Sequence, residues 1–140
     1  MPDEPPTNED RLLTGIKTFE SGSSKLTTWA LSITGGSILI IIDDSYFRPF
    51  NITCRYAYFL FLIGWILLGI SMYHAFAITR HVMVSDLYKD RSLLTQILEK
   101  CNRRFFLQMR FFQFGILTFG IWLIFFLLWW IFADIPSPIK

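Results

Sequence analysis

The sequence predicts an all-α integral membrane protein. It would have three transmembrane helices with the N-terminus in and the C-terminus out. A helical hairpin would extend into the cytosol between helices 2 and 3, and a short amphipathic helix would precede helix 1. Three observations lead there. Of the 140 residues 53% are hydrophobic and 18% aromatic, and they gather in three blocks, 26–42, 56–78 and 111–133, free of Asp, Glu, Lys and Arg. A bilayer core takes roughly 17–25 apolar residues per helix. Cations are distributed unevenly around those blocks. The intervening polar segments repeat apolar residues at helical spacing.

Residues 1–8, MPDEPPTN, are Pro-rich and acidic and read as a disordered tail. In 9–25 Leu12, Leu13, Ile16 and Phe19 fall on one helical face, with Thr7–Asp10 or Asn8 as the cap and SGSSK as the break. This segment reads as an amphipathic helix lying on the inner membrane surface or against the protein's own cytosolic helices. Its polar, net-acidic start is unlike a cleavable signal sequence, and neither end carries a lipidation motif.

Block 26–42 is the first span and the most polar. Ser32, Thr34, Gly35, Gly36 and Ser37 make it a helix-packing surface or, in an oligomer, a pore lining. The outer loop 43–55 turns at Pro49; its NIT triplet at 51–53 reads as a chance match to a glycosylation site. Block 56–78 is the second span, with Gly64, Gly69 and Ser71 as packing positions, and block 111–133 the third, with Gly115. Residues 134–140 form an outer tail.

Orientation follows from Lys and Arg, which favour cytoplasmic loops. Arg11, Lys17 and Lys25 precede span 1, and Arg80, Lys89, Arg91, Lys100, Arg103, Arg104 and Arg110 lie between spans 2 and 3. The opposite side holds Arg48, Arg55 and Lys140. Trp29, Tyr56, Tyr58, Trp129 and Trp130 sit at block ends, where aromatic belts form. The compartment expected is a bacterial inner (plasma) membrane.

Residues 79–110 read as a basic cytosolic hairpin turning at KDRS, 89–92, with Ser92 or Asp90 as the cap. Leu94, Ile97, Leu98, Cys101 and Phe105 form its apolar stripe. The stripe is most simply the hairpin's seam; otherwise it is an oligomer contact or a surface-lying helix, and Leu94, Leu98 and Phe105 are the partner-binding candidates. Arg103, Arg104 and Arg110 crowd the inner boundary as positive-inside anchors or lipid-headgroup ligands.

His74 is the one histidine in an apolar block. Near the inner end of span 2 it reads as an interfacial partner of Tyr73, with a polar contact between helices as the alternative. His81 is ~10 Å away along the helix axis, too far to share a metal ion with it. Cys54 and Cys101 fall on opposite sides of the membrane and cannot pair within one chain.

No CxxC, HExxH, Walker loop or GxSxG occurs, and no carboxylate lies inside a span. The chain is therefore not expected to be an enzyme, nor to need a cofactor or metal. With a net charge of only +2 and cations near the membrane, nucleic acid is not an expected partner. The expected partners are the bilayer, further copies of the chain, or a second membrane or cytosolic protein. Two functions fit: a non-enzymatic membrane-anchored subunit or interaction module, or a homo-oligomeric pore or membrane-perturbing effector lined by helix 1.

Overall fold

The computed structural model describes residues 7–42, 52–87 and 90–133. Among them there are three helices and no strand: α1 Asn8–Ile42, α2 Ile52–Leu87 and α3 Arg91–Ala133. Two are long and apolar enough to cross a membrane, over Phe59–Leu87 and Arg91–Leu128. The tail 1–6, the connection 43–51, residues 88–89 and the tail 134–140 lie outside the described residues, as do the side chains of Tyr56, Tyr58, Trp129 and Trp130.

Contacts between helices give the topology. Phe61 meets Phe119 and Trp122 while Ser71 meets Gln108, so α2 and α3 are antiparallel. Gly15 faces Leu98, Gly22 faces Phe105 and Ser23 meets Gln108, so α1 runs parallel to α3. The bundle is up-down-up.

The starts of α1 and α3 are capped by side chains. Thr7 and Asp10 close a reciprocal box: the Asp10 carboxylate accepts from the Thr7 amide at 3.0 Å, and the Thr7 hydroxyl accepts from the Asp10 amide at 3.3 Å. The Thr7 hydroxyl and amide together hold the Asp10 carboxyl below its usual pKa. Asp90 caps α3 by accepting from the Ser92 amide at 3.0 Å.

The sequence places a break at SGSSK, residues 21–25, and the structure has none: α1 is one helix of 35 residues. The small residues are instead a seat for α3. A Cβ on Gly22 would lie 3.1 Å from the Phe105 ring, and Ser23 is buried. The hydroxyls that follow bond back into their own helix, Thr27 to the Ser23 carbonyl and Thr28 to the Ser24 carbonyl, rather than competing with it. The N-terminal half of α1 is thus no separate surface helix. Leu12, Leu13, Ile16 and Phe19 pack on the α2–α3 pair.

Buried positions recur every seven residues in all three helices. They are Ile16, Ser23, Ala30 and Ser37 in α1, and Leu94, Cys101, Gln108 and Trp122 in α3, with buried Gly115 completing the series. In α2 there are two such series: Phe61, Leu68, Ala75 and Val82, and buried Gly64 followed by Ser71, Ile78 and Ser85. A seven-residue repeat keeps one seam of each helix facing its neighbours along the whole bundle.

The seam changes character along its length. At one end Ile16, Ile78, Val82, Leu94, Ile97 and Cys101 form an aliphatic core. At the other, glycines admit the side chains of the facing helix. A Cβ on Gly64 would lie 2.8 Å from Phe119, and one on Gly115 would lie 2.9 Å from Leu68. Gly64→Ala and Gly115→Ala should therefore each cost ~1–3 kcal/mol through overpacking. Gly69→Ala and Gly120→Ala, whose new methyl meets nothing within 4 Å, should be neutral or stabilising. Thermal unfolding in mild detergent distinguishes them; equal effects at the four positions would contradict this packing.

Candidate functional site

Two polar constellations stand out against this seam. The first joins all three helices at Gln108, which is fully buried. Its side-chain NH2 donates to the Ser23 carbonyl of α1 at 3.1 Å, and its backbone carbonyl accepts from the Ser71 hydroxyl of α2 at 3.1 Å. Its Oε1 has no partner. A single buried amide in an apolar seam specifies how helices align more than it adds stability. A second, smaller link lies further along α1, where Trp65 donates from Nε1 to Ser37 at 2.8 Å and Ser37 donates to the Thr34 carbonyl at 2.7 Å.

The node sets which residues lie level with one another. Two residues beyond Ser23 and Gln108 stand Lys25 and Arg110, the last cations before the charge-free stretches of α1 and α3. Their level on α2 is Gly69. The nearest α2 cation, Arg80, lies eleven residues from there, ~16 Å along the axis.

The second constellation begins at His74. It is buried, stacks on Phe111 at 5.7 Å between ring centroids, and meets the Tyr73 ring edge-on. Its Nδ1 lies 3.3 Å from Arg104 Nη1. A guanidinium only donates, so this contact calls for Nδ1 as the acceptor, in the tautomer with its proton on Nε2. The polar contact between helices is therefore present together with the Tyr73 pairing.

Just beyond, a cleft of about 400 Å³ is lined by His81 of α2 and by Lys100, Arg103, Arg104 and Leu107 of α3. Among the described residues no carboxylate forms an ion pair with these cations. Arg110 lies outside the cleft, its guanidinium 4.5 Å from the Phe106 ring centroid.

The other sequence-selected residues separate clearly. Leu94, Leu98 and Phe105 lie under α1: Leu94 is buried in the core, Leu98 sits against Gly15, and Phe105 against Gly22 and Phe19. In the bundle these three side chains pack within the chain, against α1. Gly64, Ser71 and Gly115 lie at the α2–α3 contact, whereas Gly69 is exposed. In α1 Ser37 is buried and Thr34 half-buried, while Ser32, Gly35 and Gly36 are exposed. Cys101 is a buried thiol in the aliphatic core. Among the described residues no three His, Cys, Asp or Glu side chains converge to hold a metal ion.

Sequence alone does not single out Gln108 or Ser23, and it takes His81 and Lys100 separately, without the cleft that joins them. For Gln108 a signal existed: it sits seven residues after Cys101 and seven before Gly115. No protein-family model, curated protein or solved structure matches the chain.

Gln108→Glu tests the node. An ionised carboxylate there would face the Ser23 carbonyl without a donor, costing ~3 kcal/mol or more. A protonated one would donate to it. The folded-state pKa should rise above the unfolded ~4.3. Stability is then retained below that value and lost as pH rises through the folded pKa. Ser71→Ala, which removes one neutral hydrogen bond, should cost only ~0.5–1 kcal/mol at any pH. A pH-independent Gln108→Glu no less stable than the parent would exclude the node.

Proposed function

We propose that the chain is a small, non-enzymatic, multi-pass membrane protein of a plasma (inner) membrane that acts as a membrane-anchored subunit or interaction module. In this reading all three helices cross the bilayer, N-terminus in and C-terminus out, and their charged ends continue into the cytosol as one bundle. Support for the membrane part comes from the outer surface. Beyond the level of Lys25 and Arg110, α2 and α3 expose Phe59, Leu62, Ile66, Phe114, Leu117, Ile124 and Phe125. An apolar surface of that extent calls for lipid or protein cover.

The observation that carries the interaction part is a stripe on α2. Tyr73, Phe76, Met83 and Leu87 are each more than 60% exposed and, with Arg80, follow spacings of 3, 4, 3 and 4. Met83 and Leu87 lie on the charged side of the bundle, ~20–27 Å from the level of Arg110, beyond the headgroups. An amphipathic helix of a second protein packs on such a face through its own apolar stripe. The aliphatic core beneath needs no such cover, because α1 already closes it.

A homo-oligomeric pore is the second reading, favoured by the exposed Ser32, Gly35 and Gly36 of α1. Small residues at this spacing allow close helix approach in lipid.

Mass measurement after extraction of the native membrane in mild detergent separates the two. The interaction reading expects a second polypeptide, released by Met83→Glu with Leu87→Glu, while the bundle's melting temperature changes little. A homogeneous assembly of four or more identical chains, insensitive to that double variant and conducting in liposomes, would favour the pore and contradict the subunit reading.

A further inference from the structure

We propose that the basic cleft between α2 and α3 is a binding site for a phosphate monoester, presented by the headgroup of an anionic lipid. The proposal rests on the membrane reading above and assigns a ligand class to one place on that molecule.

The cleft is built from one face of α3. Lys100, Arg103, Arg104 and Leu107 follow i, i+3, i+4 and i+7, and His81 closes the opposite wall from α2. Like charges at these spacings repel one another on a helix. Glu99, four residues before Arg103, is the acidic residue nearest to them along α3, and among the described residues no carboxylate lies within ion-pair distance of them. An anion bound between them would remove that repulsion. Phosphate suits the donors, since Arg presents a planar fork and Lys a mobile point charge.

One of the cations is held in place beforehand. Arg104 is half-buried and donates toward His74 Nδ1, and His74 is itself fixed between Phe111 and Tyr73. A guanidinium with one nitrogen anchored loses less freedom on binding and still has donors to offer. Arg103 and Lys100 are exposed and can close over a ligand.

Position favours a lipid as the source of the phosphate. Leu107 lies three residues and Arg104 six residues outside the level of Arg110, ~5 and ~9 Å along the axis. The headgroup layer of one leaflet is roughly 5–8 Å deep. The apolar floor at Leu107 thus sits at headgroup depth, the arginines at its outer edge, and Lys100 and His81 beyond. That order matches a headgroup whose charge is terminal. A zwitterionic headgroup would place its ammonium among these cations.

The test uses the purified full chain in mild detergent, with dioleoyl phosphatidic acid, dioleoyl phosphatidylcholine and inorganic phosphate as separate probes, read by native mass spectrometry and melting temperature. Phosphatidic acid should be retained and should raise the melting temperature; phosphatidylcholine should do neither. Lys100→Gln with Arg103→Gln, two exposed positions, should weaken phosphatidic acid binding at least tenfold. Arg11→Gln with Lys17→Gln, which removes the same charge elsewhere, should leave it within twofold. Stabilisation by millimolar inorganic phosphate that also displaces the lipid would keep the phosphate site and assign it a soluble ligand. Equal retention of the two lipids, or equal loss in both double variants, would overturn the proposal. Carbonate extraction of native membranes guards the reading beneath it. A chain that stays in the membrane but ignores phosphatidic acid refutes the cleft alone, whereas a chain stripped into the soluble fraction refutes the membrane reading.

Discussion

Everything in this bundle depends on one seam that repeats every seven residues through all three helices. An α-helix turns once per 3.6 residues, so only a repeat near 3.5 keeps the same face toward its neighbours over many turns. In α3 the repeat runs from Leu94 to Trp122 without interruption. Sliding one helix by a single turn would bring Phe119 away from Gly64 and set Gln108 against apolar side chains. The polar node at Gln108 enforces this. A single polar residue in an otherwise apolar seam specifies alignment at some expense in stability.

In the proposed membrane reading the same geometry serves two different solvents. At the end holding Ile16, Ile78, Val82, Leu94 and Ile97 the seam is a water-driven core, where each fully buried aliphatic side chain contributes ~1.5–3 kcal/mol. In the proposed bilayer that driving force is absent, because lipid is as apolar as leucine. Close packing and a few hydrogen bonds must then hold the helices. The change from branched aliphatics to Gly64, Gly115, Ala30 and Ser37 follows that change of solvent. Gln108, Ser23 and Ser71 stand where the two regimes meet, next to the last cations of α1 and α3.

Much of this was legible in the sequence, and the reasons for the rest are physical. Helical content and the three apolar blocks follow from composition and length. The Thr7–Asp10 box and the Asp90 cap follow from the short reach of side-chain oxygens, and the inward face of Leu12, Leu13, Ile16 and Phe19 from their spacing. The continuity of α1 does not follow, because SGSSK resembles a break when only local preference is considered. Its role appears only when Phe105 and Gln108 arrive from a helix some eighty residues away. The seam was hidden for a related reason. Apolar residues mark buried positions only in water, and in α2 and α3 they face outward as well, while Ser, Gly and Gln occupy the inside. The basic cleft draws His81 from one helix and Lys100 from another, a pairing that no local pattern encodes.

The most direct test of the account is the alignment of α1 on α3, measured by cysteine cross-linking in native membranes with Cys54 and Cys101 replaced by Ala. Gly22→Cys paired with Phe105→Cys should form a cross-link rapidly with a short thiol reagent. Gly22→Cys paired with Met109→Cys, one turn further along α3, should not. Preferential linkage of the second pair, or of neither, would mean that α1 is not seated on α3 by this seam. The continuous helix, the Gln108 node and the levels of charge drawn from them would then fall together.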